Sequence, residues 1–147
     1  MPQTTWRTPI ANGFFQPFKN NLLTQAATQI DFDAPDDIRV ILIDSGAYTV
    51  DLTNHDFLDD VAAGARIATV ALTGEAVSGN VFDANDATFT AVSGVQSEAL
   101  ILYKHTGVEA TSRLICYIDT ATNLPVTPNG GDITVAWDAG ANKIFAL

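Results

Sequence analysis

Short apolar or alternating runs, separated by turn residues, dominate the second half of the chain. From residue 82 onward, clusters of Gly, Pro, Asn and Asp interrupt these runs. Such spacing is typical of half-buried strands joined by tight turns. The clearest runs lie at 99–103, 113–118, 133–137 and 143–147. The pattern therefore predicts a mainly β fold, an antiparallel β-sandwich of jelly-roll-like or Greek-key type.

The strongest single strand signal lies in the first half of the chain. Residues 38–43 (IRVILI) are apolar at nearly every position, which predicts a central strand covered on both faces. A Ser45-Gly46 turn separates it from a second predicted strand at 48–52. Further short strands are predicted at 66–72, 75–78, 80–82 and 88–92.

Two stretches have helical rather than strand periodicity. The first predicts an amphipathic helix over residues 18–28, and its apolar positions are Phe18, Leu22, Leu23, Ala26 and Ile30. The second predicts a helix of one or two turns that begins near Asp56 and ends at Gly64. Its apolar face would consist of Phe57, Leu58 and Val61.

Residues 1–17 differ from the rest and are interpreted as an extended N-terminal arm. Pro2, Pro9 and Pro17 interrupt regular structure, yet the segment also contains large apolar residues, namely Trp6, Ile10, Phe14 and Phe15. Two alternatives follow. The arm folds back over its own core, or it reaches a neighbouring subunit or a larger assembly, in which case these four side chains are the contact residues.

A long connection at 119–132 separates two of the predicted strands. Loops of this length commonly carry contacts or function, although a plain crossover between sheets explains it equally well. Its apolar residues Leu124, Pro125 and Val126 are added to the candidate contact residues.

Length and composition fit one domain spanning residues 1–147. The 147 residues are 47% hydrophobic and only 16% charged, which favours a packed core over disorder. The single cysteine, Cys116, lies inside an apolar strand, so a buried structural thiol is expected.

The charge of the chain argues against nucleic acid as a partner. The formal net charge is -10, and the seven basic residues are scattered singly along the sequence. Phosphate backbones are bound by clustered Lys and Arg, so no nucleic-acid partner is expected. The chain has no signal-peptide pattern and no apolar run of about 18 residues, so no membrane association is expected either.

Few residues suggest chemistry. The sequence around Asp44-Ser45-Gly46 resembles the motif of retroviral-type aspartic proteases, in which two carboxylates share a proton across a dimer. This dimeric protease using Asp44 is a remote alternative. His55 and His105 are not at metal-ligand spacing, and the Asp-rich turns are interpreted as solvated surface. We assign no catalytic, cofactor-binding or metal-binding residue and expect a protein that is not an enzyme.

Three stretches resemble small virion structural proteins of tailed bacteriophages. They lie at 82–92, 97–104 and 124–135. The decoration, or cement, proteins of the capsid are the subset that we expect. This resemblance implies a homo-oligomer, a trimer in the simplest case, which binds the major capsid protein on the exterior of the virion. A tail or adaptor protein and a host-surface binding module remain as alternatives.

Overall fold

A computed structural model describes residues 12–24, 29–33 and 36–147 of the chain. The described residues form one α-helix, ten strands and three short 3-10 turns. The helix α1 spans Gln16–Thr24. The strands are β1 (Gly13–Phe14), β2 (Asp37–Ile43), β3 (Arg66–Ala71), β4 (Ala76–Ser78), β5 (Val81–Asp83), β6 (Ala87–Phe89), β7 (Ala99–His105), β8 (Leu114–Ile118), β9 (Ile133–Val135) and β10 (Phe145–Ala146).

The strands are arranged in three antiparallel sheets. The largest sheet has the order β1-β8-β7-β2-β3, and the others have the orders β10-β5-β4 and β6-β9. The prediction of a mainly β, antiparallel protein with a short helix is thereby confirmed. The finer prediction of a jelly-roll or Greek-key sandwich stays a prediction.

The β2–β7 pair forms the centre of the large sheet. The two strands pair over their full length, from Asp37 opposite His105 to Ile43 opposite Ala99. The side chains of β2 alternate between the two faces of the sheet. Because Val40, Ile41 and Leu42 are all fully buried, both faces are covered, as the apolar run predicts.

An aromatic cluster covers one face of this sheet. The antiparallel register places Phe14 of β1 next to Cys116 of β8, and Cys116 next to Leu102 of β7, on the same face. Ring centroids in the cluster lie 4.9–6.0 Å apart, and its members are Phe14, Phe18, Phe32, Phe82 and Phe145. The cluster therefore links α1 and the three-stranded sheet to the large sheet.

The first helix begins two residues earlier than predicted. The helix starts at Gln16, so Pro17 is its second residue. Proline fits the first turn of a helix, because backbone N–H groups there have no hydrogen-bond partner within the helix. Residues 25–28 of the predicted helix lie outside the described residues.

The predicted strand at 48–52 is wrong. Asp51 Oδ1 accepts the backbone N–H groups of Thr53 and Asn54, at 2.9 and 3.1 Å, and closes a compact turn. Capping of this kind competes with strand pairing, because the side chain binds backbone N–H groups that would otherwise bond to a neighbouring strand.

The predicted short helix that ends at Gly64 is not continuous. The segment forms two 3-10 turns, Leu58–Asp60 and Ala63–Ala65. The side chain of Arg66 donates to the carbonyls of Leu58 and Val61, which a continuing helix would need for its own N–H groups.

We expect Phe15→Ala to lower the free energy of unfolding by about 3–5 kcal/mol, because Phe15 is fully buried and truncation leaves a cavity. Leu23→Ala is the matched control, since the Leu23 side chain is 83% exposed and its loss should cost less than about 0.5 kcal/mol. Urea unfolding followed by circular dichroism measures both. Equal stability of the two variants would contradict the placement of Phe15.

Candidate functional site

The structure places the seven predicted contact residues in three different settings. Trp6 and Ile10 lie outside the described residues. Phe14 is half-buried in β1, and Phe15 is fully buried in the protein's own core. Phe15 is therefore corrected from a contact residue to a core residue. For Phe14 and Phe15, the arm follows the first alternative and folds over its own body.

The remaining contact candidates lie in the connection between β8 and β9. Val126 pairs with Ser97, and each backbone N–H donates to the other residue's carbonyl at 2.8 Å. Leu124 and Val126 are half-buried, whereas Pro125 is exposed after a cis peptide bond. This connection is thus anchored to the body of the protein. Of the three candidate residues in it, Pro125 is the exposed one.

Asp44, the residue of the protease-like motif, caps its own turn. Its Oδ1 accepts the N–H of Gly46 at 2.7 Å. The next residue, Ser45, donates its N–H to Glu98 Oε2 at 2.9 Å. These hydrogen bonds give the Asp-Ser-Gly turn a structural role at the end of β2.

His55 is held by a tyrosine. Its Nδ1 accepts hydrogen bonds from the Tyr48 hydroxyl, at 2.7 Å, and from the Asp51 N–H, at 3.3 Å. The ring proton of neutral His55 is therefore on Nε2. Burial, with a contribution from Asp60, raises the pKa of Tyr48, so its hydroxyl keeps its proton and remains the donor.

The carboxylates of the Asp-rich turns have structural roles as well. Asp86 accepts the backbone N–H of Trp137 at 3.0 Å, and Asp83 lies 3.8 Å from the ammonium of Lys143. Within the described ranges, no group of three His, Cys, Asp or Glu side chains is arranged to hold a metal ion.

A cleft with two arginines lies on the other face of the large sheet, opposite the aromatic cluster. We call it the Arg66 cleft. Its volume is about 290 Å³. The floor consists of strand residues and the wall comes from the segments around Leu58 and 107–112; the lining includes Arg39, Thr69, Tyr103, His105, Arg66 and Glu109.

Arg66 is the most firmly held charge in the cleft. Its Nε donates to the Val61 carbonyl at 2.9 Å, and its Nη2 donates to the Leu58 carbonyl at 2.8 Å. Its Nη1 and Nη2 also donate to the two carboxylate oxygens of Glu109, at 2.5 and 3.0 Å. This bidentate pair lowers the pKa of Glu109.

Arg39 sits beside Tyr103 on the floor of the cleft. Its Nη2 donates to Asp37 at 2.7 Å, and this hydrogen bond is the largest cause of its raised pKa. Burial raises the pKa of the Tyr103 phenol, which the neighbouring Arg39 partly offsets. His105 lines the same cleft, and its buried Nδ1 has no hydrogen-bond partner among the described residues.

The sequence did not point to this cleft. A signal existed for Arg39, because a charged residue inside the apolar run at 38–43 needs a partner. No such signal existed for the pairing of Arg66 with Glu109, because these residues are 43 positions apart and meet only in the folded chain.

The chain matches no family model and no curated protein. None of the helices in the described part of the chain has the length and apolar character needed to cross a membrane.

We expect Arg66→Gln to lower the free energy of unfolding by about 1.5–3 kcal/mol, because the guanidinium bonds two main-chain carbonyls as well as Glu109. Glu109→Gln should cost much less, because its carboxylate is exposed and screened. Urea denaturation measures both variants. A larger loss for Glu109→Gln would contradict the view that the carbonyls hold Arg66.

We expect Cys116 to react with a thiol reagent more than about a hundredfold more slowly in the folded protein than in the guanidinium-unfolded chain. Burial raises its pKa to about 12, so the reactive thiolate is scarce and inaccessible. Ser78→Cys provides a control, because Ser78 is exposed on β4 and its thiol should react in the folded state. Equal rates for Cys116 before and after unfolding would contradict its burial.

Proposed function

We propose that this chain is a structural protein of a tailed-bacteriophage virion, of the capsid decoration type, and that it is not an enzyme. It binds the major capsid protein on the outer surface of the shell as a homotrimer. The resemblance of residues 82–92, 97–104 and 124–135 to such proteins is the origin of this proposal.

One observation carries the proposal beyond the resemblance. The residues that the sequence offers for chemistry contribute to the fold. Asp44 closes the turn after β2, His55 accepts a hydrogen bond from Tyr48, and Cys116 packs in the core. A body whose reactive groups hold its own turns and core together is suited to binding and stabilising an assembly.

The charge and the edge of the large sheet support the same role. A net charge of -10 keeps an exposed, densely arrayed protein soluble. The N-terminal segment joins the body at β1, where Phe15 donates its N–H to the Ile115 carbonyl at 3.0 Å. In the sequence, the apolar residues Trp6 and Ile10 thus come before a segment that is hydrogen-bonded to the large sheet.

The test is binding to expanded empty shells of the phage that encodes the chain. We expect the double variant Trp6→Ser and Ile10→Ser to bind at least about 30-fold more weakly, because a buried aromatic anchor contributes about 2 kcal/mol or more. Co-sedimentation measures occupancy, and light scattering of the free protein should give three times the mass of one chain.

Leu23→Ser is the matched control, because it removes an apolar side chain that is exposed on α1. It should bind shells as the unmodified protein does. Full occupancy by the double variant would refute the gripping role of the N-terminal segment. Binding of the unmodified protein to tails or to host cells, and not to shells, would replace decoration with one of the two alternatives.

A further inference from the structure

Arg66 forms an ion pair with a carboxylate that lies on the protein surface. Among the described residues, the ion-pair partner of Arg66 is Glu109, whose side chain is 54% exposed. Glu109 lies on a 3-10 turn, Glu109–Thr111, which has no buried residue. The Arg66 side chain is only 15% exposed. The cation is thus fixed, whereas its counter-ion is on the surface.

The backbone keeps the Arg66 side chain in place without Glu109. The carbonyls of Leu58 and Val61 hold Nε and Nη2, but as neutral groups they leave the positive charge uncompensated. A guanidinium held in this way is pre-organised to bind a carboxylate through two parallel hydrogen bonds. Glu109 binds Arg66 in this geometry.

A second cation of the cleft supplies further donors. Arg39 lies on the floor, and its side chain is 33% exposed. The volume of about 290 Å³ fits a small ligand or one side chain.

We propose that the Arg66 cleft binds a carboxylate group, which takes the place of Glu109 on Arg66, with Arg39 as an additional contact. The carboxylate comes from a free small acid or from an acidic side chain of a protein partner. This site is separate from the proposed contacts of Trp6 and Ile10, and it stands whether or not the chain decorates a capsid.

The test is a two-dimensional ¹H–¹⁵N NMR titration of the full chain with glutarate at constant ionic strength. We expect saturable shifts at the amides of Gly107, Glu109 and Ser112. Glutaramide, which has the same shape without the charges, should cause no saturable shift. Equal responses to glutarate and glutaramide would overturn the proposal.

Three variants separate the site from nonspecific charge effects. Glu109→Gln removes the internal competitor and should lower the Kd for glutarate about fivefold or more, whereas Arg39→Gln should raise it about tenfold. Lys143→Gln removes the same charge beside Asp83, away from the cleft, and should leave the Kd unchanged. An unchanged or higher Kd in Glu109→Gln would overturn the displacement of Glu109. Equal weakening by Arg39→Gln and Lys143→Gln would overturn the site.

A capped Gly-Asp-Gly peptide, compared with Gly-Asn-Gly, identifies the source of the carboxylate. Saturable binding of the Asp peptide alone at this cleft supports an acidic side chain of a partner. Binding of glutarate without the peptide supports a free small acid. Absence of saturable binding for both glutarate and the Asp peptide would refute the proposal.

Discussion

The pairing of β2 with β7 is the constraint on which the structure depends. Two seven-residue strands are paired along their whole length, and their central residues are buried on both faces. Such a pair can exist only if other elements cover both sides, because apolar side chains on an open face would stay in water. The aromatic cluster covers one face. The segments around Leu58 and 107–112 cover part of the other and form the wall of the Arg66 cleft.

Part of the cleft lies where this burial weakens. At the end of the ladder, Asp37 and Arg39 in β2 and His105 in β7 are only partly buried. A sheet can accept charged residues there, because the charged end of each side chain reaches solvent or an ion-pair partner. Arg66 then joins two connections that are distant in sequence, since it binds the carbonyls of the first and the carboxylate of the second. Polar side chains from both ends of the β2–β7 ladder thus line one cleft, which is the carboxylate site that we propose.

The two proposals use different parts of the molecule. The virion role relies on the packed body and on apolar residues before β1, whereas carboxylate binding relies on the two arginines of the Arg66 cleft. Both are consistent with an acidic protein of net charge -10, in which a fixed arginine is an uncommon feature. The reactive groups Asp44, His55 and Cys116 serve the fold in either case.

The sequence by itself determined most of the strands, because alternation and apolar runs report directly on which side chains must leave water. The run at 38–43 is the clearest case, and it became the central strand β2. The sequence misjudged 48–52 and the helix after Asp56, because Asp51 and Arg66 there satisfy backbone groups that a strand or helix would use. Only the tertiary structure decided that Phe15 belongs to the core and that Arg66 meets Glu109. Long-range contacts of this kind depend on how the elements pack, and local periodicity carries no information about which distant residues will meet.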